Sequence, residues 1–153
     1  LLAETVELEC KLALGPDGSG EVPRDFWPTY SAMANAHGGV ELLGVREKNG
    51  TFSPAGIGNP AKVRSDLFNT LNNREKVSAN LIDDADVREY RIEGRTVLAV
   101  NIPAASRKQY QSLLSKQHDA SQCQSCGQCE PQCPQNIPII AKLAEAHAYL
   151  TKT

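Results

Sequence analysis

The sequence predicts an α+β fold: a small mixed sheet with two helices, followed by a short cysteine-rich helical tail. Three observations predict it. Period-two stretches and helical spacings follow one another as strand, helix, two strands, helix, two strands. That order lacks the regular strand–helix–strand alternation of doubly wound folds. Four of the five cysteines crowd into residues 123–133, beyond a compositional break after Pro103.

Residues 1–14 read as a strand. Val6, Leu8, Cys10 and Leu12 alternate with Thr5, Glu7, Glu9 and Lys11, so the first set is expected on a core and the second toward solvent or a site. The glycine-rich stretch Gly15 to Gly20 is a loop. Asp25 stands where an N-cap would open a helix running to about Ala36, with Phe26, Tyr30, Met33 and Ala34 at helical spacing. Gly38-Gly39 ends it. Val40–Val45 is a strand, and Asn49-Gly50 turns the chain back into Thr51 and Phe52. Asn59 caps a second helix with Pro60 at its first position and Val63, Leu67 and Leu71 as its apolar stripe. Asp83 to Asp86 is an acidic turn, and Val87–Ile92 with Thr96–Ile102 form a hairpin around Glu93-Gly94. Residues 104–122 carry a short helical patch around Tyr110, Leu113 and Leu114, and Ala141–Leu150 form a last short helix. The expected organisation is a domain at 1–108, a linker at 109–120 and the tail at 121–153.

Composition narrows the function classes. Length 153 fits one domain plus an appendage, and no apolar run approaches the roughly 18 residues that span a membrane. The net charge is −2, and residues 1–110 hold 13 basic and 15 acidic side chains, so any basic face is a local cluster. Arg88, Arg91, Arg95, Arg107 and Lys108 gather on the last hairpin and its exit, the one basic concentration and the expected contact for a nucleic-acid backbone. Glu89 and Glu93 dilute it, which leaves an ordinary solvated hairpin face as the alternative. His118 and His147 have no evident partners along the chain.

The cysteines fall as Cys123-x2-Cys126-x2-Cys129-x3-Cys133-Pro134, the spacing of the bacterial ferredoxin run. Disulfide frameworks spread cysteines along a chain; a crowd this tight reads as a metal or cluster site in a reducing, cytoplasmic setting. Soft thiolates bind iron in sulfide clusters or, alternatively, zinc. With a single run, Cys133 has three open fates: closing a local four-thiolate site, serving a partner's cluster, or staying free. Cys10 is expected as a small apolar core thiol.

From about Ser121 to Tyr149, the stretch Cys123-Gln-Ser-Cys126-Gly-Gln-Cys129-Glu-Pro-Gln-Cys133-Pro134-Gln-Asn-Ile137-Pro-Ile139 resembles the C-terminal ferredoxin-like extension of some bacterial aldo/keto reductases. The resemblance implies a 4Fe-4S cluster on Cys123, Cys126, Cys129 and Cys133; it does not imply reductase activity, since the residues before it leave no room for the eight-fold barrel that carries that activity.

Three further stretches carry a second resemblance: Glu4-Thr-Val-Glu-Leu-Glu9-Cys-Lys11, Ser31 through the Ala34-Asn35-Ala-His-Gly38-Gly39 helix end to Gly44-Val45, and Val97-Leu-Ala-Val-Asn-Ile102-Pro103. Residues 1–108 are similar to the AlbA-like domain of Schlafen-type proteins, known in bacteria as a DNA-binding or transcription-regulator domain. The resemblance implies a nucleic-acid-binding module, with homodimerisation; joined to the tail, the expected function is a cytoplasmic module whose appended cluster senses redox state or meets a redox partner. It also implies an alternative, a metal-dependent endoribonuclease in which Glu4, Glu9 and Glu47, with Lys11 beside them, hold Mg²⁺ or Mn²⁺. A third reading is an iron–sulfur electron-transfer protein with the first domain as scaffold.

Overall fold

The structure, a computed structural model, describes residues 7–151. Its chain divides into two compact units that meet between Ala105 and Ser106.

The first unit is built on a four-stranded mixed sheet in the order β1-β2-β6-β5. The strands are β1 (Glu7–Lys11), β2 (Gly39–Leu43), β5 (Val87–Ile92) and β6 (Arg95–Ile102). β1 runs parallel to β2, and the other pairs are antiparallel. A separate hairpin, β3 (Val45–Lys48) and β4 (Thr51–Pro54), follows β2 directly. Gly44, at φ +88°, breaks the expected single strand Val40–Val45 in two. Both hairpin turns use adjacent positive φ values, Asn49-Gly50 at 53° and 72°, Glu93-Gly94 at 51° and 75°, which match strand twist.

Helix α1 (Phe26–Asn35) and helix α2 (Pro60–Leu71) supply the core on one face of the sheet. Phe26, Tyr30 and Met33 from α1 and Val63, Leu67 and Leu71 from α2 join Leu43, Leu98, Val100 and Ile102 in one buried cluster. The α2 start is as the sequence implies: Asn59 Oδ1 accepts from Lys62 N at 3.0 Å, with Pro60 next in line. The α1 start is not. Asp25 makes no capping side-chain hydrogen bond; its carboxylate pairs instead with Lys11, 3.3 Å away. At the other end, Gly38 N donates to Met33 O at 2.8 Å with Gly38 at φ +81°.

The expected orientation of β1 is reversed. Leu8 and Leu12 are 55% and 41% exposed, and Cys10 is half-buried, whereas the Lys11 side chain is 13% exposed. Register explains the reversal. The parallel pairing sets Glu9 beside Glu41 and Lys11 beside Leu43, and Gly39, Glu41 and Leu43 are the buried set of β2. Neighbours across a ladder share a face, so Glu9 and Lys11 lie on the helix side and the leucines on the open side. Val6 and residues 1–5 lie outside the described residues.

The second unit carries helix α3 (Ala105–Ser115) and helix α4 (Ile139–Thr151) with the cysteine loop between them. The stretch expected as a linker at 109–120 is thus mostly helix: once Pro103 is passed, Tyr110, Leu113 and Leu114 recur at helical spacing with no breaker before Gln117.

Candidate functional sites

Around β1 the structure gathers charge on the helix side of the sheet, partly open to solvent. Lys11 Nζ lies 3.3 Å from Asp25 Oδ2 and 3.9 Å from Glu9 Oε2. Next to this trio, Glu41 is fully buried and neither carboxylate oxygen has a hydrogen-bond partner. Burial pushes its carboxyl up from 4.5 to about 8; Lys11 opposes the rise, and Asp25 and Glu9 add to it. Glu41 is therefore mainly a neutral acid at pH 7. Sequence reading passed over it, although a lone acid inside Val40-Glu-Leu-Leu43 is the available signal.

Of the carboxylates implied for a nuclease, Glu4 lies outside the described residues. Glu9 is half-buried on β1, and Glu47 is exposed on β3, opposite Phe52. β3 runs beside β1. The Cys10 thiol is held above its ordinary value by burial first, then by the charges of Glu47 and Glu9. Each of these charges acts on Cys10, but Glu9 leaves β1 on the helix side and Cys10 on the other, and Lys11 is engaged by Glu9 and Asp25. Among the described residues, no three His, Cys, Asp or Glu side chains stand together as a metal site.

Within the first unit, the predicted basic residues divide between the two faces of the sheet. Arg88 and Arg91 are an odd number of residues apart on β5 and leave opposite faces of the sheet. Arg95 follows the turn on β6 and donates from Nη1 to Ala55 O at 3.1 Å. Arg107 and Lys108 belong to the second unit, where the Arg107 guanidinium lies 5.0 Å from the centre of the Tyr149 ring.

In the second unit Cys123, Cys126 and Cys129 are exposed, Cys133 is half-buried, and all four are free thiols. Ser125 and Gly127, at φ 53° and 73°, kink the chain on either side of Cys126. The loop is tied to both helices. Ala120 N donates to Tyr110 Oη of α3 at 2.9 Å, and Ile140 N, in the first turn of α4, donates to Glu130 Oε1 at 3.1 Å. Tyr110 Oη also shares a hydrogen bond with His147 Nδ1 at 2.9 Å, and Asp119 Oδ1 lies 3.5 Å from that nitrogen. His147, without an evident partner in sequence, thus has two. Asp119 is held below the usual carboxylate range, chiefly by hydrogen bonds from Ser121. The four free thiols are not drawn together as a metal site among the described residues; by donor chemistry they suit a cluster, and Cys123, Cys126, Cys129 and Cys133 would hold it. Such a group supplies one-electron chemistry or structural cross-linking.

A small mixed-sheet module followed by a four-thiol loop is the class that the fold and the loop define. The chain belongs to the Schlafen AlbA_2 family, whose model matches residues 4–125. Residues 116–139 match the model of the 4Fe-4S binding domain. Among solved structures, the chain is similar to the N-terminal domain of an ATP-dependent DNA helicase RecG-related protein from Nitrosomonas europaea, determined by NMR in solution. Identity is 26%, the TM-score is 0.45, and the likeness covers 63% of this chain and 62% of that one. No curated protein matches the chain. Among the described residues, no helix is long and apolar enough to cross a membrane.

Proposed function

We propose that this chain is a nucleic-acid-binding module of the AlbA_2 type whose affinity is set by an iron–sulfur site in its second unit. The observation that carries this reading is an overlap: the family match runs to residue 125, and the 4Fe-4S match begins at residue 116. The two matches thus follow one another along the chain with no linker between them. Cys123 stands inside both matches. The loop's ties to α3 and α4 support a coupling in which oxidation or loss of the cluster rearranges these helices. The test is fluorescence anisotropy of labelled nucleic acid against the anaerobically purified chain, reduced, air-oxidised and stripped of iron. The reading expects affinity to change at least several-fold among the three; identical affinities would remove the redox role.

A second reading has one observation in its favour: β3, which carries Glu47, runs beside β1, which carries Glu9. In it, Glu4, Glu9 and Glu47 bind Mn²⁺ or Mg²⁺ and the chain cleaves RNA, with Lys11 positioning Glu9. Mn²⁺-dependent cleavage that disappears in Glu47→Ala supports it; cleavage unchanged in that variant removes it.

A further inference from the structure

The open face of the sheet carries a built surface that neither family match assigns. The β5–β6 register pairs Arg88 with Ala99, Tyr90 with Val97 and Ile92 with Arg95. Paired residues share a face, so Arg88, Tyr90, Ile92 and Arg95 lie on one side of the sheet, away from the helices. Tyr90 and Ile92 are 48% and 44% exposed there. Two shallow cavities flank them. One, of about 310 Å³, is lined by Val40, Ala85, Asp86, Arg88, Tyr90, Ala99 and Asn101. The other, of about 330 Å³, is lined by Arg46, Ser53, Pro54, Ala55, Glu93 and Arg95.

The two cavities differ in chemistry. The first has an apolar floor from Val40 and Ala99, an aromatic edge from Tyr90, and the amide of Asn101. Asn101 Nδ2 donates to Asp86 Oδ1 at 2.9 Å, which fixes the amide plane and leaves its carbonyl oxygen to accept from a base edge. Asp86 also accepts from Asp83 N through Oδ2 at 2.9 Å, so both of its oxygens are engaged. The second cavity is polar and has two guanidinium groups against one carboxylate, Glu93. Arg95 is steadied by its bond to Ala55 O. A mixed cavity with one aromatic ring and small apolar side chains suits an unstacked base, and arginines in both cavities suit phosphates. A duplex hides its base faces and would leave Tyr90 unused.

We propose that single-stranded nucleic acid lies along the β5–β6 face, with a base against Tyr90 in the Asn101 cavity and phosphates on Arg88, Arg95 and Arg46. The proposal rests on the nucleic-acid reading above and adds the strand state and the surface. The partner chemistry is a phosphodiester strand with accessible bases, whether its sugar is ribose or deoxyribose.

The test is anisotropy with the full chain and fluorescein-labelled oligonucleotides of roughly 12 nucleotides, within the site sizes such surfaces take. Single-stranded DNA, single-stranded RNA and the DNA duplex form the three arms. Expected is tighter binding of at least one single strand than of the duplex. Tyr90→Ala then weakens that single strand about tenfold, Tyr90→Phe keeps it, and Arg88→Ala lowers the salt slope by about 0.7. Tyr90 is half exposed, so its truncation leaves the core intact. Nucleic-acid binding indifferent to Tyr90→Ala, or tighter for duplex, overturns the inference and leaves the broader reading standing. No binding in any arm overturns both.

Discussion

Replacing Glu41 by Gln should make the first unit more stable as pH rises. In the unfolded chain this carboxyl titrates near its ordinary 4.5; in the fold, buried and without a hydrogen-bond partner, it titrates near 8. Between those values the folded state holds a proton that the unfolded state releases. Stability therefore falls with rising pH across that window and is fully retained only below it. At about 1.4 kcal/mol per pH unit, the loss from this one group is about 3 kcal/mol at pH 7 and about 5 kcal/mol above pH 8. Gln keeps the shape and the buried polarity of the neutral acid and does not ionise. The variant should match the native chain to within about 1 kcal/mol at pH 5 and exceed it by about 3 kcal/mol at pH 7. Trp27, the chain's single tryptophan, packs against the core from α1 and reports unfolding of this unit by fluorescence in urea. A stability difference that stays flat from pH 5 to pH 8 would refute the assignment of Glu41 as a buried neutral acid.

Three other outcomes follow from local geometry. Tyr110→Phe removes the oxygen shared by Ala120 N and His147 Nδ1, and should lower the stability of the second unit by about 1–3 kcal/mol, seen as faster limited proteolysis near Ala120. Gly38→Ala should cost more than about 2 kcal/mol, because Gly38 sits at φ +81° and an added Cβ would lie 2.6 Å from Ile102 O; a thermal midpoint equal to the native chain's would count against the turn described. Asn59→Ala deletes the α2 cap and should cost about 1 kcal/mol, whereas Asn59→Asp should keep most of it, both read from urea midpoints.

What the sequence shows best is local. Asn49-Gly50, Glu93-Gly94 and Asn59-Pro60 specify their turns and cap with residues that few other conformations need, and each stands in the structure as read. Alternation in β1 is equally legible, but alternation alone does not say which set is buried. That depends on register with β2, a contact more than thirty residues away in sequence, and on Asp25 reaching Lys11 rather than capping its own helix. The same gap hid Glu41, whose burial follows from its place between β1 and β6. It also merged Arg88 with Arg91, which strand alternation sends to opposite faces. Cysteine spacing needs no such knowledge, because the four thiols lie within one short stretch, which the 4Fe-4S family match covers.

The central claim is that this loop carries an iron–sulfur cluster. Iron, zinc and acid-labile sulfide analysis of the anaerobically purified chain, with its visible spectrum, tests it most directly. The account predicts iron and sulfide in equal amounts, a 4Fe-4S complement per chain, and broad visible absorption that bleaches on reduction and is lost in Cys126→Ser. Stoichiometric zinc without sulfide would contradict it and make the loop a structural zinc site.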